Sequence, residues 1–181
     1  MNTLALLTTR RSTKSLTAPA PDELQLDTIL QAATQVPDHG DLTPYRFVVI
    51  HSEDGQNRFR QLLRDTVTQL NFGEESMKKA QRVGNMAPMT VAVICTPKTG
   101  KPEWEQQMTA GCAAYAMQLA AKAQGFDSVW ISGLWVNSPL LKDAFACGEK
   151  DKIIGLIMLG TAVCSPDAPK NTDVSAFTTY W

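Results

Sequence analysis

At 181 residues with 44% hydrophobic content, the chain has the length and composition of one ordinary domain able to build its own core. Its formal charge of -1, from 17 basic and 18 acidic side chains, provides no long-range field to gather nucleic acid or an anionic membrane, so local clusters of charge carry the information. The amino terminus places its charges after a short apolar run, the reverse of a secretory signal, and no apolar stretch reaches membrane-spanning length, so a soluble cytoplasmic protein is expected.

A first helix is predicted over Thr3 to Thr9, burying Leu4 and Leu7, and it hands over to the basic stretch Arg10-Arg11-Ser12-Thr13-Lys14. After the Pro-Ala-Pro segment at 19 to 21, Asp22 can cap a helix whose apolar residues Leu26, Ile29, Leu30 and Ala33 follow i, i+3, i+4, i+7 spacing. Pro37 ends that helix, and the loop Pro37-Asp38-His39-Gly40-Asp41 leads into Tyr45 to Ile50, an aromatic and β-branched run expected to be a central strand. Ser52 is a cap for a helix bearing Phe59, Leu62, Leu63, Thr66 and Leu70, closed by Asn71-Phe72-Gly73 and followed by a charged helix from about Glu74 to Met86.

Thr90 to Cys95 is continuously apolar, as for a strand covered on both faces. The longest helix runs from Pro102 to Ala123, and its middle, Ala110 to Met117, is apolar nearly all round, which requires burial from several sides. Gly125 suits the left-handed position beyond it, Val129-Trp130-Ile131 is a third strand, Ser138-Pro139 starts a helix stopped by Gly148, and Ile153 to Leu159 is a last core strand. The tail from Gly160 to Trp181 ends in Ala-Phe-Thr-Thr-Tyr-Trp and is read as an arm that packs on a partner subunit. The order of elements indicates one α+β domain over residues 1 to 181 with a small mixed sheet.

Cys95, Cys112, Cys147 and Cys164 form no CxxC pair and are expected to be reduced, mostly buried thiols; with only His39 and His51 beside them, no metal site is expected. The glycine-rich signatures of dinucleotide, nucleotide and hydrolase sites are all missing, so a phosphate-bearing ligand would have to be held by side chains. Arg10, Arg11, Ser12 and Lys14 could do this, arginine as a planar fork and lysine as a point charge, although the same cluster also suits a solvated surface.

Arg10-Arg11-Ser12, then Pro37-Asp38-His39-Gly40 and Pro44-Tyr45-Arg46-Phe47, resemble the paired marks of FMN-dependent nitroreductases. Trp104-Glu105-Gln106, Ala110-Gly111-Cys112, Gln124-Gly125-Phe126, Trp130-Ile131-Ser132-Gly133 and Leu159-Gly160-Thr161 continue the likeness in order, closest to the compact YdjA-type branch. The resemblance implies an intertwined homodimer with FMN at its interface. Arg10, Arg11, Ser12 and Lys14 would hold the phosphate and ribityl chain, Gln35 and His39 would reach the flavin from the other subunit, and Trp130, Ile131 and Ser132 would line the ring. It further implies hydride transfer from NADH or NADPH, through FMN, to a small electrophilic acceptor of nitroaromatic or quinone type.

His39 has three readings: flavin or substrate contact, proton donor, or loop-capping residue. Trp130 suits a core strand as well as a ring wall. Compact relatives commonly carry arginine where Gln35 and Ile131 stand, so this site is less basic and more apolar. A basic residue that many relatives place after the last strand has only Lys170 and the distant Lys152 as counterparts. The apolar Ile131 motivates a second reading, a flavin-binding storage or sensor dimer without turnover.

Overall fold

The computed structural model describes residues 2–164, 168–169 and 172–181. Its elements are α1 (Thr3–Thr9), β1 (Leu16–Thr17), α2 (Glu23–Ala33), β2 (Tyr45–Ile50), α3 (Glu53–Gln69), α4 (Gly73–Gly84), β3 (Met89–Cys95), α5 (Glu103–Ala123), β4 (Asp127–Ile131), α6 (Pro139–Ala144) and β5 (Lys152–Ala162). Short 3₁₀ turns occupy Gly133–Asn137 and Val174–Phe177.

The helix starts follow from the polar residues that precede them. Asp22 accepts from the Gln25 amide while the Gln25 side chain accepts from the Asp22 amide, a reciprocal capping box. Ser52 and Ser138 cap α3 and α6 with a single bond each, their hydroxyls accepting from the amides of Gly55 and Leu141, and the buried Ser138 hydroxyl also lies 2.7 Å from that of Thr66, tying α6 to α3. Gly125 adopts φ +91, as its place after α5 requires.

Every described strand pairing is antiparallel, where a mixed sheet was expected. The reason is the position of β5. β3 and β4 run parallel to each other, joined by α5, but they lie on opposite edges of β5 and never touch. β2, expected to be central, is an edge strand that among the described residues pairs only with β3, and all its residues but Ile50 are correspondingly half-buried. β1 and β4 share the other edge of β5, β4 along Leu156 to Gly160 and β1 at Thr161 and Ala162.

Alternation along the strands divides the core in two. Val91, Val93, Ile157 and Leu159 pack with Tyr45 and Phe47 under α2 and α5, while Ala92, Ile94, Leu156 and Met158 pack with Ile50 under α3, α4 and α6. All seven residues of β3 are buried, as its sequence indicated. Arg46 crosses from β2 to the far loop, where its guanidinium donates to the carbonyls of Phe145 and Ala146 at 2.8 and 3.0 Å and pairs with Asp151 at 3.3 Å.

Three local expectations change. Leu4 and Leu7 are exposed rather than buried, because α1 lies at one end of the fold with α5 as its main neighbour among the described residues. α6 stops at Ala144, with Ala146 in the left-handed region at φ 51; Gly148 instead donates its amide to Asp151. The tail begins later than Gly160, since β5 extends to Ala162, and Phe177, Tyr180 and Trp181 stand exposed.

Gly155 marks where β4 leans on β5: a Cβ there would overlap the indole of Trp130, whose Nε1 donates to the Ile154 carbonyl at 3.3 Å. Gly155→Ala is therefore expected to destabilise the fold by about 1–3 kcal/mol through overpacking. Thermal unfolding should show this as a drop of roughly 2–4 °C per kcal/mol for a chain of this size.

Candidate functional site

The basic stretch between α1 and β1 is pinned by the residue in its midst. The Thr13 amide donates to the Ser128 carbonyl at 3.0 Å, and its hydroxyl donates to Asp127 Oδ1 at 3.3 Å. Lys122 of α5 neutralises that buried carboxylate at 2.9 Å, and Gln118 donates to the Ser128 hydroxyl. The Leu16 amide then bonds the Met86 carbonyl at the end of α4. These few bonds bring the segment 10 to 17, β4 and α4 to one place.

A cavity of about 440 Å³ opens there. Lys14, Trp130, Ile131 and Ser132 line it, so four of the predicted site residues are gathered by the fold. Val83, Met86 and Val129 make its floor apolar, and two cations absent from the sequence reading, Lys79 and Arg82 of α4, complete the wall. Their signal was present in the chain: Lys79, Arg82 and Val83 follow the i, i+3, i+4 spacing of one helix face.

Arg10 and Arg11 are half-buried and are not among the cavity's lining residues; Ser12 is exposed beside them. Arg10 lies 6.0 Å from the ring centroid of Tyr115 on α5. Arg10 Nη1 and Arg11 Nε are buried without a hydrogen-bond partner, a condition costing about 1–3 kcal/mol for an ordinary buried polar group and more for a charged one. Donors in this state fit an anionic group. Lys170 lies outside the described residues, and Lys152, on β5, pairs in register with Cys95.

Gln35 and His39 stand elsewhere, beyond the end of α2. Gln35 is exposed; its side-chain amide donates to the neighbouring Thr34 hydroxyl and its backbone amide to the Ala32 carbonyl. His39 is exposed, with Nδ1 2.6 Å from Glu105 Oε2 on α5, a contact that orients the ring and leaves Nε2 uncommitted. Pro37, His39, Trp104, Glu105, Met108 and Cys112 border a shallow depression of about 350 Å³ there. Within one chain the two groups of predicted residues therefore do not meet. Among the described residues no cluster of three or more His, Cys, Asp or Glu could hold a metal ion, and no helix is long and apolar enough to cross a membrane.

The family model described as "Nitroreductase family" matches residues 7–161. A Haemophilus influenzae protein is 47% identical over 184 residues, covering 99% of this chain and all of the relative. Escherichia coli K12 YdjA is 40% identical over 184 residues, covering the whole of both chains. Both carry the name "Putative NAD(P)H nitroreductase". A Desulfovibrio desulfuricans protein described as a nitroreductase, solved in complex with FMN, superposes with a TM-score of 0.79 at 20% identity, covering 100% of this chain and 98% of that one. The chain belongs to the nitroreductase family and has its fold.

The four cysteines divide by environment, against the expectation of mostly buried thiols: Cys95 is buried, Cys147 is half-buried, and Cys112 and Cys164 are exposed. Burial, helped by the nearby carboxylates of Asp151 and Glu103, pushes the Cys95 thiol up to about 11. Burial also raises Cys147, against the opposing pull of Arg46. A raised thiol pKa keeps the protonated, unreactive form dominant at mildly alkaline pH. Ellman's reagent at pH 8 should therefore label Cys164 quickly in the native protein, while Cys95 and Cys147 react only after denaturant is added; peptide mapping of the labelled sites checks this.

Proposed function

We propose that the protein is a cytoplasmic, FMN-dependent oxidoreductase that takes hydride from NADH or NADPH and passes it to a small electrophilic acceptor of nitroaromatic or quinone type. The carrying observation is the pair of unpartnered, buried guanidinium nitrogens on Arg10 and Arg11, four and three residues along the chain from Lys14 of a cation-lined cavity. A flavin phosphate would satisfy both nitrogens at once. Family membership and the FMN complex of the D. desulfuricans protein support the same cofactor.

In this reading Arg10, Arg11, Ser12 and Lys14 hold the phosphate and ribityl chain, and Trp130, Ile131 and Ser132 wall the ring. When bound, FMN supplies the hydride-accepting and hydride-donating chemistry, so no side-chain nucleophile is needed. The chain's own work is to bind, to orient and to limit water. Trp130 is held by its bond to the Ile154 carbonyl and by the gap at Gly155, so its ring has a fixed place against which a flat ligand can stack. The Glu105 contact holds the His39 ring so that Nε2 can meet the flavin or a substrate, or hand a proton to the reduced acceptor.

The 181 residues act as one domain of a homodimer, with FMN at the interface and Gln35 and His39 contributed across it. Support comes from apolar surface that one chain leaves in water. Trp104, Met108 and Tyr115 form a stripe along α5, Leu4 and Leu7 lie on α1, and Phe177, Tyr180 and Trp181 end the arm of about residues 162 to 181. Ile131 favours the second reading, a flavin-binding storage or sensor dimer without turnover. It packs against the core and offers the ring no polar contact.

Purified protein should show a flavin spectrum that NADPH or NADH bleaches anaerobically and a quinone or nitroaromatic restores. Flavin that both donors leave oxidised selects the storage or sensor reading, and a colourless protein that ignores added FMN ends both. Arg11→Gln should weaken FMN binding by on the order of tenfold or more, the usual effect of losing a hydrogen bond to a charged group, read by quenching of flavin fluorescence. Met108→Glu should convert the dimer to monomer in analytical ultracentrifugation, and Cys112, shielded in the dimer, should then react with Ellman's reagent.

A further inference from the structure

The Trp104-Glu105-Gln106 mark lies in the first turn of α5, and that end of the helix holds the loop that carries His39. Buried Gln106 accepts from the Lys98 amide at 2.8 Å and donates to the carbonyls of Lys98 and Lys101, each at 2.9 Å. The segment it fixes lies against the His39 loop, since a Cβ built on Gly40 would stand 3.1 Å from Lys101 Cε. The Thr109 hydroxyl donates to the Pro37 carbonyl at 3.1 Å. Asp38 closes the loop on itself by accepting from the Thr43 amide at 2.6 Å. Asp41 and Thr43 take φ 51 and 46, a left-handed conformation that a β-branched residue such as Thr43 rarely adopts. Backbone held in such a conformation by its surroundings is characteristic of functional loops.

The remaining contact decides what His39 presents. Its Nδ1 lies 2.6 Å from Glu105 Oε2, and an ionised carboxylate can only accept. The proton of the neutral ring therefore sits on Nδ1, and Nε2, which bonds to no described residue, carries a lone pair. We propose that Glu105 is a positioning residue that fixes His39 in the Nδ1–H tautomer, so that Nε2 meets the ligand as a hydrogen-bond acceptor. The inference rests on the flavin reading and narrows it. An acceptor at Nε2 grips an N–H or O–H group, such as the imide N–H or a ribityl hydroxyl of FMN. The neutral ring has no proton at Nε2 to hand to a reduced acceptor, so contact is selected over proton donation. His51, the chain's other histidine, makes no side-chain hydrogen bond to a described residue and serves as the unconstrained reference.

Long-range ¹H–¹⁵N correlation of the imidazole rings reads the tautomer directly, and His51→Gln assigns the spectrum by removing one of its two rings. Wild type, Glu105→Ala and Glu105→Gln are compared as apoprotein and after FMN is added, at pH 9, well above the ordinary imidazole pKa of about 6.5. Wild-type His39 should show the Nδ1–H form, and Glu105→Gln, whose amide oxygen still accepts, should stay close to it. Glu105→Ala should relax to the mixture that His51 shows. Adding FMN to the wild type should shift the unprotonated Nε2 resonance. FMN affinity should fall about three- to tenfold in Glu105→Ala, the worth of one hydrogen bond, and stay near wild type in Glu105→Gln. A wild-type ring in the Nε2–H form, or a tautomer that is the same with and without Glu105, overturns the proposal. So does FMN binding that leaves Nε2 unmoved or that Glu105→Ala does not weaken, because the contact would then be a surface pair without bearing on the ligand. A wild type that takes up no FMN defeats the flavin reading, and the tautomer comparison in apoprotein still decides the part played by Glu105.

Discussion

The fold depends on one strand with three partners. β5 runs for 11 residues, roughly 36 Å at the usual rise, which gives it enough edge for β3 on one side and for both β4 and β1 on the other. Leu156 to Leu159 are wholly buried, so sliding the register by one residue would exchange the two cores and is strongly disfavoured. Where β4 and β1 meet end to end along that edge, the chain just before β1 must pass the end of β4. That is why Thr13 finds Ser128 and Asp127, and why Lys14 stands beside Trp130. The site's position is thus a consequence of strand length and register. The glycines of β5 serve the same junction, Gly155 by admitting the indole of Trp130 and Gly160 by admitting Pro88 and the Thr17 carbonyl.

Charge is distributed unevenly over this frame. Two cations that tie elements together are paired with acid, Arg46 with Asp151 and Lys122 with Asp127. Arg10 and Arg11 make no ion pair with any described residue, and one nitrogen of each is buried and unpartnered. Local rules of satisfaction are broken in natural folds chiefly where a ligand restores them. Burial without a partner, rather than the lack of an ion pair, sets these two arginines apart, since exposed cations such as Arg58 and Lys98 also make no ion pair with a described residue. Arg46 illustrates the point, since it belongs to the same run of sequence marks as His39 yet spends its donors on the loop between α6 and β5.

Elements were readable from the chain because their signals are local. Asp22, Ser52 and Ser138 each cap a helix within three residues of themselves, and the span of β2 follows from its own β-branched and aromatic run. Position in the sheet was not readable, because it depends on partners. Tyr45 to Ile50 has the composition of a central strand, but its outer edge carries no described partner. β1, two residues long, has no periodicity to detect. The same distinction applies at the site. Arg10, Arg11 and Lys14 were visible as a run, whereas Lys79 and Arg82 lie inside a helix of ordinary charged appearance and gain meaning only when β4 is placed opposite. Glu105 was likewise within a sequence mark, but its contact with His39 spans 66 residues.

Helix α5 links the two halves of the argument. Its buried face, Ala110, Ala113, Ala114, Met117 and Ala121, is small-residued and lets the helix lie close on β3 and β5, while its other face carries Trp104, Met108, Cys112 and Tyr115 into solvent. A helix of this composition was expected to be covered on several sides, and one chain covers only some of them. At one end of the open face Glu105 holds His39, and further along it Tyr115 lies under Arg10. A second copy packed on that face would bury the aromatic stripe and would bring residues such as His39 and Gln35 toward a neighbour's Arg10 and Arg11, because each set borders the same surface. In the proposed dimer, association and ligand binding then share one interface. The apolar stripe drives assembly, and the unpartnered guanidinium groups at its margin wait for the anion that the assembled site receives.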